Sequence, residues 1–463
     1  MKHPLMIFFI LFFIMPALSA QPPMKAIVGG TLIHTDGTDP LEDSIVLIEG
    51  NKIIKVGKLK ETPIPQDAQI IDAKGKWIIP GLVDAHVHFF QSGGLYTRPD
   101  ILDLRKYRPY QEELSWIKAH LTDTFARYLR CGVTSVVDVG GPLWNFKVRE
   151  LAQRTALAPR VAVAGPLIST YQPEELTTED PPVIKANSSE EARALVRRQA
   201  EWKPDLIKIW FILLPGHKPE SYFSLIRAII EESHHHGIRV VVHATELETA
   251  RVAVKAGADI LAHSVDDKIV DREFIQLLRE NHVIYTSTLM VSQRYREVLS
   301  QQIQLTTPER EIANPYILST LFDLRKLPPE DIPPHILSRI RNPKPIFPNP
   351  IALKNLKLLQ DAGVTLAAGT DAGNIGTPHG PAIFRELELM AEAGLSNQQI
   401  LTAATIHGAE LMGRSRELGS LEAGKLADMV ILHADPLAGI QNTSAIDLVI
   451  KDGQVYTPDQ ILK

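Results

Sequence analysis

Two histidines one residue apart, His86 and His88, close the pentad Asp84-Ala85-His86-Val87-His88, directly after the apolar run Ile78-Ile79-Pro80-Gly81-Leu82-Val83. Alternate residues of a β-strand point to one side, about 6–7 Å apart along the chain. A strand ending here delivers both imidazoles to one place. Neutral imidazole nitrogens bind a divalent ion such as Zn²⁺ at about 2.0–2.1 Å, so the pair is competent to begin a metal site. Local hydrogen bonding at a strand end is the alternative use, and the rest of the chain decides between them.

Four further polar residues end apolar segments in the same way. Lys208 lies in Asp205-Leu206-Ile207-Lys208-Ile209-Trp210, His243 ends Arg239-Val240-Val241-Val242-His243, His263 ends Asp259-Ile260-Leu261-Ala262-His263, and Asp371 follows Leu366-Ala367-Ala368-Gly369-Thr370. Each alone has an ordinary explanation: a hydrogen-bonded core histidine, a helix-capping aspartate, or a lysine reaching the rim on its aliphatic stem. At matching ends of successive segments, four histidines, a lysine and an aspartate describe a metal site. Lys208 is the telling member. An ammonium inside an apolar strand is costly, and metal ions would repel it. Addition of CO₂ to the amine would give a carbamate, an anion whose two oxygens can bridge two ions. The tract Ser233-His234-His235-His236-Gly237 reads instead as a helix end: its imidazoles complement the negative terminus, and Gly237 suits the left-handed position beyond it.

The elements that must position these residues alternate between strand and helix. Candidate strands are 82–88, 135–139, 160–164, 206–210, 239–244, 260–264, 283–288 and 365–370, with helices such as 219–236 and 246–256 between them. Eight strands of this kind predict an α/β fold, a (β/α)8 TIM-type barrel spanning 80–412, with functional residues at the C-terminal strand ends. Insertions near 167–188 and 290–349, rich in proline, are expected to form lids or substrate loops. Residues 24–79 and 413–463 read as short strands and turns, including the hairpin turn Lys451-Asp452-Gly453-Gln454. They predict one small β-sandwich domain built from both termini. Residues 1–20 show the pattern of a secretory signal peptide: Lys2, an apolar run from Leu5 to Met15, then Pro16-Ala17-Leu18-Ser19-Ala20. Export to a periplasm or the exterior is the expectation, with no stable membrane partner after cleavage. A net charge of −5 offers no basic surface for nucleic acid. The single cysteine, Cys131, excludes an intrachain disulfide and is expected to be a small buried apolar residue.

The chain resembles the metal-dependent amidohydrolase superfamily, in the branch holding imidazolonepropionases and prolidase-like dipeptidases. The resemblance spans nearly all of the chain beyond the leader. It rests on Pro80-Gly81-Leu82-Val83-Asp84-Ala85-His86-Val87-His88, Gly369-Thr370-Asp371-Ala372-Gly373, Arg385-Glu386-Leu387-Glu388-Leu389, Ala403-Ala404-Thr405, and Gly419 through Asp428. It implies that His86, His88 and Asp371 hold one metal, that His243 and His263 hold a second, and that carboxylated Lys208 bridges them. The implied metal is zinc, with other divalent ions compatible with the ligand types. Imidazolonepropionases are mononuclear and lack the lysine, so Lys208 favours the binuclear, prolidase-like group.

The mechanism expected of such a site is attack of a metal-bound hydroxide on a carbonyl, with Asp371 carrying the proton to the leaving nitrogen. The substrate expectation is a C–N bond in an amide, a cyclic amide or an Xaa-Pro-like dipeptide. A deaminase or lactonase on the same barrel, or a non-catalytic metal-binding barrel, are the competing readings. Loop residues expected near the substrate are His379, Tyr285 and Trp210, with His217 and Asn374 as further candidates. Arg98 and Arg294 are cations that could meet a substrate carboxylate. A homo-oligomer is compatible with the sequence.

Overall fold

The computed structural model describes residues 24–462, so the segment read as a signal peptide lies outside the described residues. All eight expected strands form: Leu82–Val87, Val133–Asp138, Arg160–Val163, Leu206–Trp210, Arg239–His243, Ile260–Ala262, Ile284–Thr286 and Leu366–Ala367. The first three pair in parallel and in chain order, as do the last five. Backbone contacts join the two sets at both edges. On one side Asp205 N donates to Val163 O at 2.9 Å and Ala164 bridges Leu206; on the other, Ala85 N donates to Ala368 O at 2.9 Å and Val87 bridges Ala372. Helices such as Asn145–Arg154, Phe223–His235 and Leu247–Lys255 lie between successive strands. Parallel strands alternating with helices fit a TIM-type barrel.

Side-chain parity along the strands separates two apolar layers. Ala85, Val137, Ala162, Leu206, Val241, Ile260, Ile284 and Ala367 belong to one cluster, which fills the interior. Their neighbours Val136, Val161, Ile207, Val240, Leu261 and Tyr285 pack into the large cluster shared with the helices. Both faces are buried, which is why these strands read as continuous apolar runs.

The two insertions are more ordered than their composition suggests. In the first, Leu167–Ser169 pairs with Leu206–Trp210 and Val183–Lys185 pairs with Leu167–Ser169, all in parallel. The second carries helices Leu289–Leu299, Thr307–Ile312, Pro315–Thr320 and Pro334–Arg341. Val298, Leu299, Leu318 and Ile336 of the first, third and last of these helices share a separate cluster with Leu95, Leu102 and Leu104 from the loop after the first strand, whereas Ile312 packs into the main core. That cluster fixes the loop and the insertion against each other beside the C-terminal strand ends.

Both ends of the described residues enter one further sheet. Its hydrogen-bonded order is Gln454–Tyr456, Ile446–Lys451, Met429–Leu432, Trp77–Pro80, Met24–Leu32, Leu41–Glu49 and Lys52–Lys58, with Gln69–Asp72 beside Met24–Leu32. The two ends meet where Met429–Leu432 runs antiparallel to Trp77–Pro80. The pairing is continuous across eight strands and is not divided into two separately bonded layers. The expected hairpin turn is present, with Asp452 at φ 51° and Gly453 at φ 71°, the left-handed pair a two-residue hairpin requires. Arg160 of the third barrel strand reaches Asp428 and Asp452 and ties this sheet to the N-terminal side of the parallel strands. Cys131 is free and buried. The tri-histidine tract ends the Phe223–His235 helix, Gly237 follows at φ 70°, and His234 Nε2 lies 2.8 Å from Asp259, away from the strand ends that carry the other histidines.

Candidate metal centre

Six side chains predicted from the sequence gather at the C-terminal strand ends. Asp371 stands at the middle: its Oδ1 lies 3.4 Å from His86 Nε2 and 3.3 Å from His88 Nε2, and its Oδ2 lies 3.7 Å from His263 Nδ1. Donor atoms of His86, His263 and Asp371 all fall within 4.8 Å of one another. The His243 ring is 4.3 Å from that of His263, and the His86 ring is 4.7 Å from it. The tightest trio therefore includes His263 from the sixth strand together with His86 and Asp371, while His88 and His243 flank it. Lys208, 1% exposed, points into the same space and lines one cavity with His88, His243, His263 and Asp371.

Among the described residues, several polar atoms here lack protein partners. Both ring nitrogens of His86, the Lys208 amine and Asp371 Oδ1 are buried without a hydrogen bond. A protein interior rarely leaves such groups unpaired, and four together around one point need an outside partner. Burial holds His86 and His243 well below the ordinary histidine value, and pushes His263 down to about 3. All three are thus neutral, the state in which imidazole ligates a metal. Burial also lowers the Lys208 amine from 10.5 to about 7. Burial alone would raise Asp371, but His86, His88 and His263 around it outweigh that and keep the carboxyl well below its ordinary range. An ionised carboxylate among neutral imidazoles is a donor set that suits a divalent cation.

A second layer aims these donors. His88 Nδ1 lies 2.7 Å from Gly140 O, so this nitrogen carries the proton and Nε2 is left with its lone pair toward Asp371. Asp138 in turn accepts from Gly140 N and from Asn145 Nδ2 at 3.2 and 2.7 Å. His263 Nδ1 meets Thr288 Oγ1 at 2.9 Å. Asp84, fully buried, accepts from Thr370 N, Thr370 Oγ1 and His86 N at 3.0, 2.6 and 3.4 Å. It thereby pins the first strand to the segment that carries Asp371. Gly369 allows this approach, since a Cβ there would lie 2.7 Å from His86 Cβ. His263, Thr288 and Asp371 all adopt left-handed backbone, at φ 76°, 42° and 59°. Such conformations in non-glycine residues cost about 1–3 kcal/mol each and collect at functional sites.

The centre opens from a small cavity of about 70 Å³ into one of about 420 Å³. Trp210 and Asn374 line both. Tyr285 does not face the site, contrary to expectation. Ile284 occupies the interior parity, so Tyr285 points to the helix side, where its OH accepts from Val265 N at 2.5 Å. His379 is also displaced from the expected role. Its Nδ1 meets Tyr128 OH and its Nε2 meets Gln91 O, each at 2.8 Å, and its ring stacks on Phe89, which leaves no nitrogen for a substrate. His217 pairs with Tyr222 on the surface. Arg294 is consumed by Glu297 and Glu309, whereas Arg98 lines both cavities. The supporting residues Asp84, Asp138, Asn145 and Thr288 escaped the sequence reading. Only Asp84, inside the pentad, carried a visible signal.

The arrangement is that of a metal-dependent hydrolase acting on C–N bonds. The Amidohydrolase family model matches residues 77–456, and the chain belongs to that family. Among curated proteins it is similar to the 5-methylthioadenosine/S-adenosylhomocysteine deaminase of Bacillus cereus (strain 03BB102), with 22% identity over 427 residues, 88% of this chain and 84% of that one. Among solved structures, a Xaa-Pro dipeptidase with bound methionine matches with a TM-score of 0.69 and 24% identity over 94% of this chain and 100% of the other. The ochratoxinase of A. niger matches with a TM-score of 0.69 and 21% identity, over 94% and 96%.

Proposed function

We propose that this protein hydrolyses an amide C–N bond in a small substrate, with an amide, a cyclic amide or an Xaa-Pro-like dipeptide as the substrate types. The observation that carries the reading is the buried Lys208 amine, unpartnered beside equally unpartnered His86 and Asp371. An amine lowered to about 7 is substantially neutral at neutral pH. Its lone pair can add to CO₂, forming an N–C bond and releasing a proton, so that Lys208 becomes a carbamate. His86, His88 and Asp371 would hold one divalent ion, His243 and His263 a second, and the Lys208 carbamate would lie between them. Zinc suits the nitrogen and carboxylate donors. Ions held there lower the pKa of water and polarise a carbonyl.

The protein's own residues do the rest. Asp371 accepts a proton from the attacking water on a carboxylate oxygen and returns it to the leaving nitrogen. His88, locked by Gly140 O, keeps the carboxylate's neighbour in one tautomer. Trp210 and the apolar wall of the larger cavity hold the acyl or amine portion and exclude water. The barrel region 80–412 is the hydrolytic domain in this reading, and 24–79 with 413–463 the supporting β-domain. Lys2 and the apolar run to Met15 support export to a periplasm or the exterior.

Asp371→Asn tests the proposal. Metal content should persist, since an amide oxygen remains, while kcat falls by about 10²–10⁴, the usual contribution of a positioned acid–base group. Near-normal kcat with metal retained refutes the role. A second reading, hydrolytic deamination, is favoured by the likeness to the Bacillus deaminase. Ammonia release from a ring amine without cleavage of any amide would select it.

A further inference from the structure

The larger cavity beside the centre carries a carboxylate that the protein does not neutralise. Asp266, three residues after His263, lines the cavity of about 420 Å³ but not the smaller one around Lys208. Among the described residues, the hydrogen bonds to other residues come from its backbone: N donates to Thr245 O at 2.9 Å, and O accepts from Asn349 Nδ2 at 3.0 Å. Among the described residues its carboxylate has no ion-pair partner within 4 Å. Charged groups facing it are Asp267 and Glu246, which add negative potential, and Arg296, which offsets part of it. Burial first, and then Asp267, raise its carboxyl above the ordinary range, the signature of a negative charge short of compensation.

The cation of the same cavity is already matched. Arg98 gives Nε and Nη2 to Asp100 at 2.8 and 2.5 Å, and Nη1 to Tyr295 OH and Asn374 Oδ1 at 3.0 and 2.7 Å. The remaining titratable lining groups are the metal donors His243, His263 and Asp371. Ile212, Leu289 and Val291 also line the cavity, while the hydroxyl side chains Thr245 and Ser292 do so in company with Asp266. The free charge of this cavity away from the metal donors is therefore negative, and an apolar surface accompanies it.

We propose that Asp266 is a specificity-determining residue that receives a cationic group of the substrate, a primary ammonium or a guanidinium, carried on an apolar arm. The assignment rests on the hydrolase reading only for where the scissile bond lies; recognition of the cation is measurable without turnover. The probe is n-hexylammonium binding to the metal-loaded protein by calorimetry, against 1-hexanol as the neutral isostere. Hexyltrimethylammonium, which cannot ligate a metal, controls for binding at the centre. Hexylammonium should bind at least about tenfold more tightly than hexanol, as expected for a charge-assisted hydrogen bond in a sheltered site, and hexyltrimethylammonium, with charge but no N–H, should keep only part of that gain. Asp266→Asn should abolish that preference, and Asp266→Glu should keep part of it. Equal affinity for cation and alcohol, or a preference that survives Asp266→Asn, overturns the proposal. Hydrolysis is read separately on paired amides that differ only in norleucine or lysine. Cleavage without discrimination defeats the specificity alone, whereas cation binding without cleavage of any amide defeats the hydrolase reading alone.

Discussion

Replacing Lys208 by methionine is expected to stabilise the metal-free protein while destroying its ability to load a full metal complement. Lys208 is 1% exposed, its amine has no hydrogen-bond partner among the described residues, and burial lowers it from 10.5 to about 7. The sign follows from which form the fold disfavours. The unfolded chain keeps the ammonium up to its ordinary value, whereas the fold resists it. The cost is therefore absent above about pH 10.5, grows as pH falls, and is complete below about 7. About 1.4 kcal/mol accompanies each tenfold change in acidity, so the ammonium is disfavoured by roughly 4 kcal/mol near neutrality. Water entering the cavity beside the amine offsets part of this, and a gain of about 2–4 kcal/mol is expected. Methionine is of similar length and apolar, so it removes the charge without leaving a large void. Urea denaturation of chelator-stripped wild type and Lys208→Met near pH 7 and near pH 10 measures the effect. The variant's advantage should be present at the lower pH and shrink at the higher. Metal content, measured with added bicarbonate, should fall from about two ions per chain to one or none. An equal or less stable variant, or a gain that ignores pH, would show that the amine is not an uncompensated buried base.

Three further outcomes are expected. Asp84→Ala removes the acceptor of three donors, Thr370 N, Thr370 Oγ1 and His86 N. It should cost about 2–4 kcal/mol of stability and weaken metal binding about 10–100-fold; an unchanged affinity in metal titration removes Asp84 from the positioning role. His379→Phe keeps the stack on Phe89 but strands Tyr128 OH and Gln91 O. Stability should drop by about 1–3 kcal/mol with KM unchanged, and a raised KM at unchanged stability would restore His379 as a substrate contact. Burial raises Glu386 from 4.5 to about 7 despite donation from Ser287, Leu289 and Met290. Its contribution to stability is full below about pH 4.5 and is lost as pH rises through about 7, by at most about 3 kcal/mol. Glu386→Gln should flatten that part of the stability profile between about pH 5 and 8, and an unaltered profile contradicts it.

The candidate metal donors were legible because a single physical rule, a polar residue ending an apolar strand, repeats at His86, His243, His263 and Asp371. The eight strands were legible for a related reason: burial on both faces makes each an unbroken apolar run. The substrate wall was not. Tyr285 and Ile284 are adjacent in sequence and equally apolar in context, yet parity sends one to the helices and the other to the interior. A one-residue error in register therefore exchanges core and site. His379 was misread because chemistry-bearing residues near a strand end attract a functional reading, while its partners Tyr128 and Gln91 lie far away in sequence. Asp266 was passed over in a loop where no periodicity singles out one acid among Asp266, Asp267 and Asp271. The left-handed backbone at His263, Thr288 and Asp371 has no sequence signature, since none is glycine.

Those three left-handed residues and the unpartnered atoms of His86, Lys208 and Asp371 occupy the same few ångströms, and their costs have one direction. Strain of about 1–3 kcal/mol at each backbone position adds to buried polar groups left unpaired, each about 1–3 kcal/mol. Among the described residues no hydrogen bond reaches these atoms, because the second layer of Asp84, Asp138 and Thr288 engages other groups, the His86 backbone, Gly140, Asn145 and His263 Nδ1. Compensation is found elsewhere. At the opposite end of the strands, Arg160 meets Asp428 and Asp452, and both termini close one sheet over an apolar cluster of Ile27, Val46, Ile78, Met429 and Ile450. A bound ion would satisfy the unpaired donors at once, so metal loading should raise stability mainly at the catalytic face. Hydrogen exchange of His263, Thr288 and Asp371 amides, with and without metal, separates this from a uniform effect. Protection should increase there by more than in Met429–Leu432, and equal increases throughout would mean that the strain is not what the ion relieves.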